Sequence, residues 1–294
     1  ANRSSQHGRS LMSTASPEQL QNLYDMTRDL GTLLPGGEPG YLNYGLWDEV
    51  ERTPPPRRAW EALLDHADIQ AGSSVLNVGC GLGALEPVCI SRCRPGRMIG
   101  VDLQLDHIAA AQANAEQAGL ADAIEYVVAD ATDLPEQIPT DLDRVLALYT
   151  VEQFPSRMAF YEEAFRVLRP GGRLVLGEIC LTRLPVTELE MECEQVHSEF
   201  WQIPQPKYLA NDFSADLAEV GYLRVQVESV GSQVFKPFAQ YLTTKMDVLG
   251  EMMADRLTDA ESEQFQYLIR TQQIIADLDL YDFVYVTATR PENA

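Results

Sequence analysis

Residues 75–83 read VLNVGCGLG, and this stretch decides the fold of the 294-residue chain. A short, mostly apolar strand leads into three glycines at alternate positions, and the residues after Gly83 have the pattern of a helix. Glycines at such a turn let the backbone approach a ligand closely, and the N-terminus of the helix adds positive polarity. The glycine pattern alone is a weak signal, but the strand before it and the helix after it predict a ligand-binding turn.

Acidic residues follow the next two predicted strands. Asp102 ends residues 99–102, and Asp130 comes directly after residues 127–129. The Asp102 carboxylate can accept hydrogen bonds from both hydroxyls of a ribose, and Asp130 can receive an adenine amino group. The two carboxylates therefore suit a nucleoside at the switch point of a parallel sheet. Two alternatives stay open: a packing turn with an incidental Asp102, and an Asp130 that only caps a helix.

The rest of the chain alternates strand and helix patterns. Strands are predicted at residues 75–78, 98–101, 124–128, 143–149, 173–181, 222–230 and 281–289. Helices are predicted at residues 16–30, 57–67, 83–92, 105–118, 156–168, 187–201, 213–219, 235–257 and 258–275. This order predicts an α/β fold with a doubly wound, mostly parallel, seven-stranded Rossmann-like sheet. Two helices between the last two strands are long for a crossover, and they predict helical lid insertions over a pocket.

Four motifs in this order resemble those of the class I S-adenosylmethionine-dependent methyltransferases. They are residues 75–83, 101–102, 129–131 and 167–174, the last reading VLRPGGRL, and the resemblance covers roughly residues 57–181. Residues 43–47 (NYGLW) and 154–166 are similar to segments of small-molecule enzymes of sterol, tocopherol, sarcosine and polyketide tailoring type. The resemblance implies S-adenosyl-L-methionine as cofactor. It implies cofactor contacts at Tyr44, Asn77, Gly79, Gly81, Gly83, Asp102, Leu103, Asp130, Ala131 and Leu148, with Tyr44 near the methionine end.

The same resemblance implies a division of the chain. Residues 1–56 form an N-terminal extension with a segment at 41–47 that closes over the cofactor, and residues 57–181 form the cofactor-binding core. Residues 182–280 form a substrate-binding lid that contributes one core strand near 222–230. Residues 281–294 form the final strand and tail. Residues 1–11 are polar and unpatterned, and the sequence leaves open whether they are native or a vector remnant ahead of Met12.

Two residues depart from the family pattern. Asn77 stands where many relatives have an acidic residue, so it lacks the charge that attracts the ammonium group of the cofactor. Gln153 stands before Phe154, where many tailoring relatives have a histidine, and glutamine cannot act as a general base. The usual proton acceptor of the family is therefore in doubt.

Three other side chains are candidates for the chemistry. Tyr149 and Glu152 lie in the loop that leaves the fourth strand, where the transferred methyl should point, and each could instead serve packing or face solvent. His197 lies one turn after Cys193 on a predicted helix, and it is an alternative base or a structural histidine. Because methyl transfer is a direct displacement, alignment and exclusion of water are the main demands on the protein.

These features predict methylation of a small lipophilic secondary metabolite. Carbon is slightly favoured as the acceptor over oxygen or nitrogen, because the usual histidine is missing. A cyclase that holds the cofactor without methyl transfer, and a regulatory subunit without turnover, are the alternatives.

Composition restricts the partners. The net charge of −22 disfavours nucleic acids and anionic membranes as binding partners. Two explanations of this charge stay open: it increases solubility, or it forms an acidic pocket for a cationic ligand. Five cysteines without a CxxC pair indicate reduced thiols, a cytoplasmic location and no zinc site, and no constellation predicts a metal. No apolar run is long enough for membrane insertion. The expected partner is a small-molecule substrate, with a homo-oligomer possible.

Overall fold

The computed structural model describes residues 43–47, 55–201, 203–204, 206–245, 247–248, 250–251 and 258–292. The helix predicted over residues 16–30 and the first part of the cofactor-covering segment, 41–42, lie outside the described residues. The N-terminal stretch 1–11 and part of the helix predicted over 235–257 lie outside them too.

A seven-stranded sheet forms the centre of the fold, which confirms the predicted class. Its strands are β1 (Ser74–Val78), β2 (Arg97–Asp102), β3 (Glu125–Val128), β4 (Leu142–Leu148), β5 (Leu168–Leu181), β6 (Leu223–Ser229) and β7 (Tyr281–Thr289), in the spatial order β3-β2-β1-β4-β5-β7-β6. β1 to β5 pair in parallel, whereas β6 and β7 are antiparallel. The order reverses between β1 and β4, so the switch point lies beside the carboxyl end of β1.

Eight α-helices with defined bounds accompany the sheet. They are α1 (Pro55–Ala67), α2 (Leu85–Cys93), α3 (Leu105–Gln117), α4 (Arg157–Val167), α5 (Glu188–Phe200), α6 (Ala210–Val220), α7 (Phe235–Thr244) and α8 (Asp259–Asp277). Local caps fix several ends. Ser156 accepts a hydrogen bond from Ala159 N–H at the start of α4, and Thr187 forms a capping box with Glu190 at the start of α5.

Several boundaries differ from the sequence prediction, and the helix predicted over residues 235–257 ends at Thr244. The helix predicted from Gly83 begins at Leu85, because Gly83 has a φ of +77° that an α-helix does not accept. The predicted turn at residues 169–172 does not precede β5 but lies within it. Leu168 already pairs with Leu142, and the register shifts before Arg144 pairs with Arg173. The glycine-rich segment therefore makes an irregularity in the ladder rather than the beginning of the strand.

The chain divides into two compact units. One comprises Arg57–Cys180, Gln205–Ser229 and Phe283–Ala294, and its core includes fully buried side chains such as Leu76, Phe160 and Leu176. The other comprises Ala1–Pro56, Leu181–Pro204 and Val230–Asp282, in which α8 packs against α5 and α7.

The outer strand β6 differs in character from the buried central strands. Most of its side chains are exposed, including Leu223, Arg224 and Glu228. Arg224 has a φ of +53°, and the pairing with β7 shifts register between Leu223 and Gln226.

No helix in the described part of the chain is both long enough and apolar enough to cross a membrane.

Candidate active site

The loop after β1 has three glycines with positive φ, of +66° at Gly79, +54° at Gly81 and +77° at Gly83. A β-carbon at Gly79 would collide with the side chain of Thr150, and one at Gly83 would lie 2.5 Å from the Tyr126 hydroxyl oxygen. A β-carbon at Gly81 would meet nothing within 4 Å. Gly79 and Gly83 therefore allow close packing, while Gly81 leaves an open stretch of backbone where a ligand can approach.

A matched pair of substitutions separates these two roles. Gly79→Ala and Gly81→Ala both place a side chain at positive φ, but only the first also overlaps Thr150. We expect Gly79→Ala to lower the free energy of unfolding by about 1–3 kcal/mol more than Gly81→Ala does, because overpacking adds to the backbone strain. Urea denaturation of the two variants measures the difference. Equal losses would contradict the packing role of Gly79.

Asp102 is the last residue of β2 and lies beside this loop. Its Oδ2 accepts the Gly81 N–H at 2.9 Å, and its Oδ1 accepts the Gln104 N–H at 2.9 Å and lies 3.2 Å from His107 Nδ1. Partial burial alone would raise the pKa of this carboxyl, but the bonds from His107, Gln104 and Gly81 outweigh burial and lower the pKa. Asp102 is therefore ionised at neutral pH and joins the ends of β1 and β2. The contact with His107 was not anticipated from the sequence.

The other predicted nucleoside contacts lie near the ends of β2 and β3. Leu103 is 65% exposed, which is unusual for a leucine and leaves an apolar surface beside Asp102. Asp130 is exposed, and its Oδ1 accepts hydrogen bonds from the backbone N–H and the hydroxyl of Thr132. This turn leaves Oδ2 of Asp130 for other donors. Ala131 is buried behind it.

Asn77 is buried near the end of β1, where its amide Nδ2 donates to Oε1 of Glu86 at 2.8 Å. Glu86 belongs to the first turn of α2 and is fully buried. Burial raises the pKa of the Glu86 carboxyl to about 7, and the hydrogen bond from Asn77 limits the rise. The sequence analysis missed Glu86. The signal available was an acidic residue nine positions after Asn77, in the helix that the glycine loop opens.

The loop after β4 holds two of the predicted catalytic residues. Leu148 is buried, and Tyr149 follows it with a φ of +55°, which is strained for a residue with a side chain. The Tyr149 N–H donates to the Gly177 carbonyl at 2.8 Å, and its ring stacks on Phe283 with centroids 4.6 Å apart. Backbone strain of this kind is typical of functional sites. Thr150 reaches Gly79 of the glycine loop, so the two loops are neighbours.

Glu152 forms a buried ion pair that the sequence analysis did not foresee. Its Oε2 lies 2.8 Å from Lys207 Nζ, and both side chains are almost completely buried. Gln153 beside it is exposed. Glu178, on β5, holds the same loop by accepting the N–H groups of Thr150 and Val151.

The environment of Glu178 affects its charge. Burial and the neighbouring Glu152 carboxylate raise the pKa of Glu178 to about 8, so this carboxyl is largely neutral at pH 7. The cluster thus presents the Glu152–Lys207 pair and one largely neutral acid, Glu178, at the loop after β4. Glu178 could have been suspected from the sequence, since it is an acidic residue inside the apolar strand LVLGEICL.

His197 and Tyr44 lie in the other compact unit and contact each other. The Tyr44 hydroxyl is 3.0 Å from His197 Nε2, and His197 is fully buried on α5. The His197 ring lies edge-on to Tyr281, and Tyr44 contacts Phe235 and Phe238. An aromatic environment thus surrounds two residues that the sequence analysis had assigned to different roles.

Comparison with known proteins identifies the family of the chain. Residues 69–264 match the family model described as "Methyltransferase domain". The chain is 29% identical to erythromycin 3''-O-methyltransferase of Saccharopolyspora erythraea over 86% of this chain and 85% of that protein. It is 27% identical to 27-O-demethylrifamycin SV methyltransferase of Amycolatopsis mediterranei, over 96% of this chain and all of that protein. The cyclopropane synthase MmaA2 from Mycobacterium tuberculosis superimposes with a TM-score of 0.73 at 18% identity, covering 93% and 98% of the two chains.

A glycine loop at the switch point of a Rossmann-like sheet, with an ionised aspartate ending the next strand, defines a class of nucleoside-binding enzymes. Within that class the chain belongs to the methyltransferase domain family, and it is an S-adenosylmethionine-dependent methyltransferase. This confirms the resemblance, the enzyme class and the cofactor predicted from the sequence.

The residues present fit that cofactor. Gly81 offers open backbone, and Asp102 offers an ionised carboxylate for ribose hydroxyls. Asn77 Oδ1 is buried and has no hydrogen-bond partner among the described residues, so it can accept from an ammonium group. S-adenosylmethionine supplies an electrophilic methyl group when it is bound.

Proposed function

We propose that this enzyme methylates a hydroxyl oxygen of a polyketide-derived natural product. The observation that carries the proposal is the similarity, over most of both chains, to two enzymes whose names specify O-methylation of an erythromycin and methylation of 27-O-demethylrifamycin SV. Glu152 and Lys207 support it, because an oxygen nucleophile must lose a proton and a carboxylate in the loop after β4 can accept one.

The roles of the chain's own residues follow from their contacts. The loop after β4 holds Tyr149 and Glu152 in place through the Gly177 carbonyl and the Glu178 carboxyl. Lys207 Nζ lies 2.8 Å from Glu152 Oε2 and compensates the charge of this carboxylate inside the protein. Burial of the pair also excludes water, which would otherwise compete for the proton.

The remaining sequence-based assignments belong to the same proposal. Residues 57–181 form the core around the cofactor. Within it, the cofactor is bound by Asn77, the three glycines, Asp102, Leu103, Asp130, Ala131 and Leu148. Tyr44 lies near the methionine end, and residues 182–280 receive the substrate.

Methylation at carbon is the second candidate. It rests on Gln153, because a carbon nucleophile such as an alkene needs no base before the methyl moves. Tyr149 and Glu152 would then stabilise the developing positive charge.

Product analysis tests the proposal. Incubation with S-adenosylmethionine and a panel of hydroxylated macrolide and ansamycin aglycones should yield products that gain one methyl group on oxygen. Fragmentation and carbon NMR of the product locate the new methyl. A methyl on carbon would establish the second candidate, and cyclised products without added mass would contradict both.

A further inference from the structure

The carboxyl of Glu86 and the amide of Asn77 form a buried pair directly behind the glycine loop. Asn77 Nδ2 donates to Glu86 Oε1 at 2.8 Å, and both residues are at most 1% exposed. The Tyr126 hydroxyl also faces the Glu86 carboxyl and, like Asn77, limits the rise of its pKa. Among the described residues, Asn77 Oδ1 has no hydrogen-bond partner, so it is the acceptor of this pair that a ligand can use.

The charge of Glu86 determines how Asn77 is oriented. An ionised carboxylate only accepts hydrogen bonds, so it requires the NH₂ of Asn77 to face it, which turns Oδ1 away as an acceptor. A protonated Glu86 can donate, so the amide can then turn over and present NH₂ instead. Only the first arrangement offers an acceptor to an ammonium group.

We propose that Glu86 is a positioning residue for the cofactor: it replaces the acidic charge that Asn77 lacks, and binding of the ammonium group of the cofactor releases a proton from it. This inference rests on the cofactor site proposed above. The cationic ammonium favours the ionised form of a nearby buried carboxyl, and by linkage the ionised form favours the ammonium.

Among the titratable groups packed around Glu86, it is the Glu86 carboxyl whose pKa lies near neutrality. Cys80, Cys89 and Tyr126 face it, and burial raises the pKa of each of them above its ordinary value. Asp102 also acts on it and is already ionised. Burial places the pKa of Glu86 itself at about 7. His107, which contacts Asp102, is the nearby group that the experiment must separate from it.

Titration calorimetry tests the inference without turnover. S-adenosylhomocysteine has the ammonium group, and 5′-methylthioadenosine has the same nucleoside without it. In two buffers of different ionisation enthalpy at about pH 6, we expect S-adenosylhomocysteine to release roughly 0.8 proton and methylthioadenosine almost none. At about pH 8 the release should vanish, and affinity for S-adenosylhomocysteine should be roughly tenfold higher than at pH 6.

Variants assign the proton. Glu86→Gln should abolish the release and the pH dependence, with roughly tenfold weaker S-adenosylhomocysteine binding at about pH 8 and unchanged methylthioadenosine binding. The exchange variant Asn77→Asp with Glu86→Gln restores a carboxylate–amide pair and should recover most of the affinity. Glu125→Gln, which removes a carboxylate from a surface ion pair with Arg97, is the control and should behave like the parent.

The outcomes are distinct. Parent enzyme that binds S-adenosylhomocysteine without releasing a proton overturns the inference and leaves the cofactor site intact. Equal release with methylthioadenosine, or release that persists in Glu86→Gln, also overturns it, because the proton then comes from another group such as His107. Failure of both ligands to bind overturns the cofactor site itself. Where Glu86→Gln does not fold, the parent enzyme alone can still overturn the inference, through absence of release or equal release with the two ligands.

Discussion

Asp102→Ala should weaken the binding of S-adenosylmethionine by roughly 2–4 kcal/mol, because the variant loses a carboxylate placed to accept two ribose hydroxyls. The carboxylate is ionised and fixed by the backbone of Gly81 and Gln104, so no ordering is needed before it binds. Titration calorimetry at neutral pH measures the change in affinity.

Asp143→Ala is the matched control for this variant. Asp143 also accepts a backbone N–H, from Ser74, and pairs with a cation, Arg169, but it lies at the opposite, amino-terminal ends of β1 and β4. Both variants should lose some stability, while only Asp102→Ala should lose affinity. Unchanged affinity in folded Asp102→Ala would remove Asp102 from the cofactor site.

Glu152→Gln should slow methyl transfer by roughly 10²–10⁴-fold in a single turnover, since it removes the proton acceptor. His197→Gln should leave that rate nearly unchanged. His197 is fully buried against Tyr44 and Tyr281, so its replacement should lower stability rather than chemistry. Rapid-quench measurements with excess enzyme and the true substrate compare the two. A large loss at His197 with none at Glu152 would reverse the assignment.

A double variant separates chemistry from folding. Glu152→Gln alone leaves the ammonium of Lys207 buried without its carboxylate, which can cost about 3–5 kcal/mol of stability. Adding Lys207→Met removes that charge and should restore much of the stability. Activity should stay low in the double variant if Glu152 acts on the substrate, and it should recover if the pair is only structural.

Local patterns are the basis of the candidate cofactor site. The glycines and Asp102 are adjacent to strand ends in the sequence, and parallel pairing of β1 with β2 brings strand ends together whatever the rest of the chain does. A local pattern can also mislead. The proline and glycines at residues 170–172 have the composition of a turn, yet pairing with β4 includes them in β5.

Long-range contacts account for what the sequence analysis missed. Lys207 pairs with Glu152 across 55 residues, and nothing near Lys207 marks it as buried. Whether Glu152 faces solvent or protein depends on that partner, so the sequence left both possibilities open. Glu86 and Glu178 have roles that follow from burial, and the degree of burial of a single carboxyl depends on the packing of the whole sheet.

The outer strand β6 has a consequence for how the molecule behaves at high concentration. An uncovered strand normally offers its free backbone groups to a strand from another molecule, and this is a common beginning of aggregation. Here the irregular pairing at Leu223 and Gln226, the left-handed backbone of Arg224 and the charge of Glu228 interrupt that row of groups. By this argument, β6 should resist the addition of a strand from another molecule.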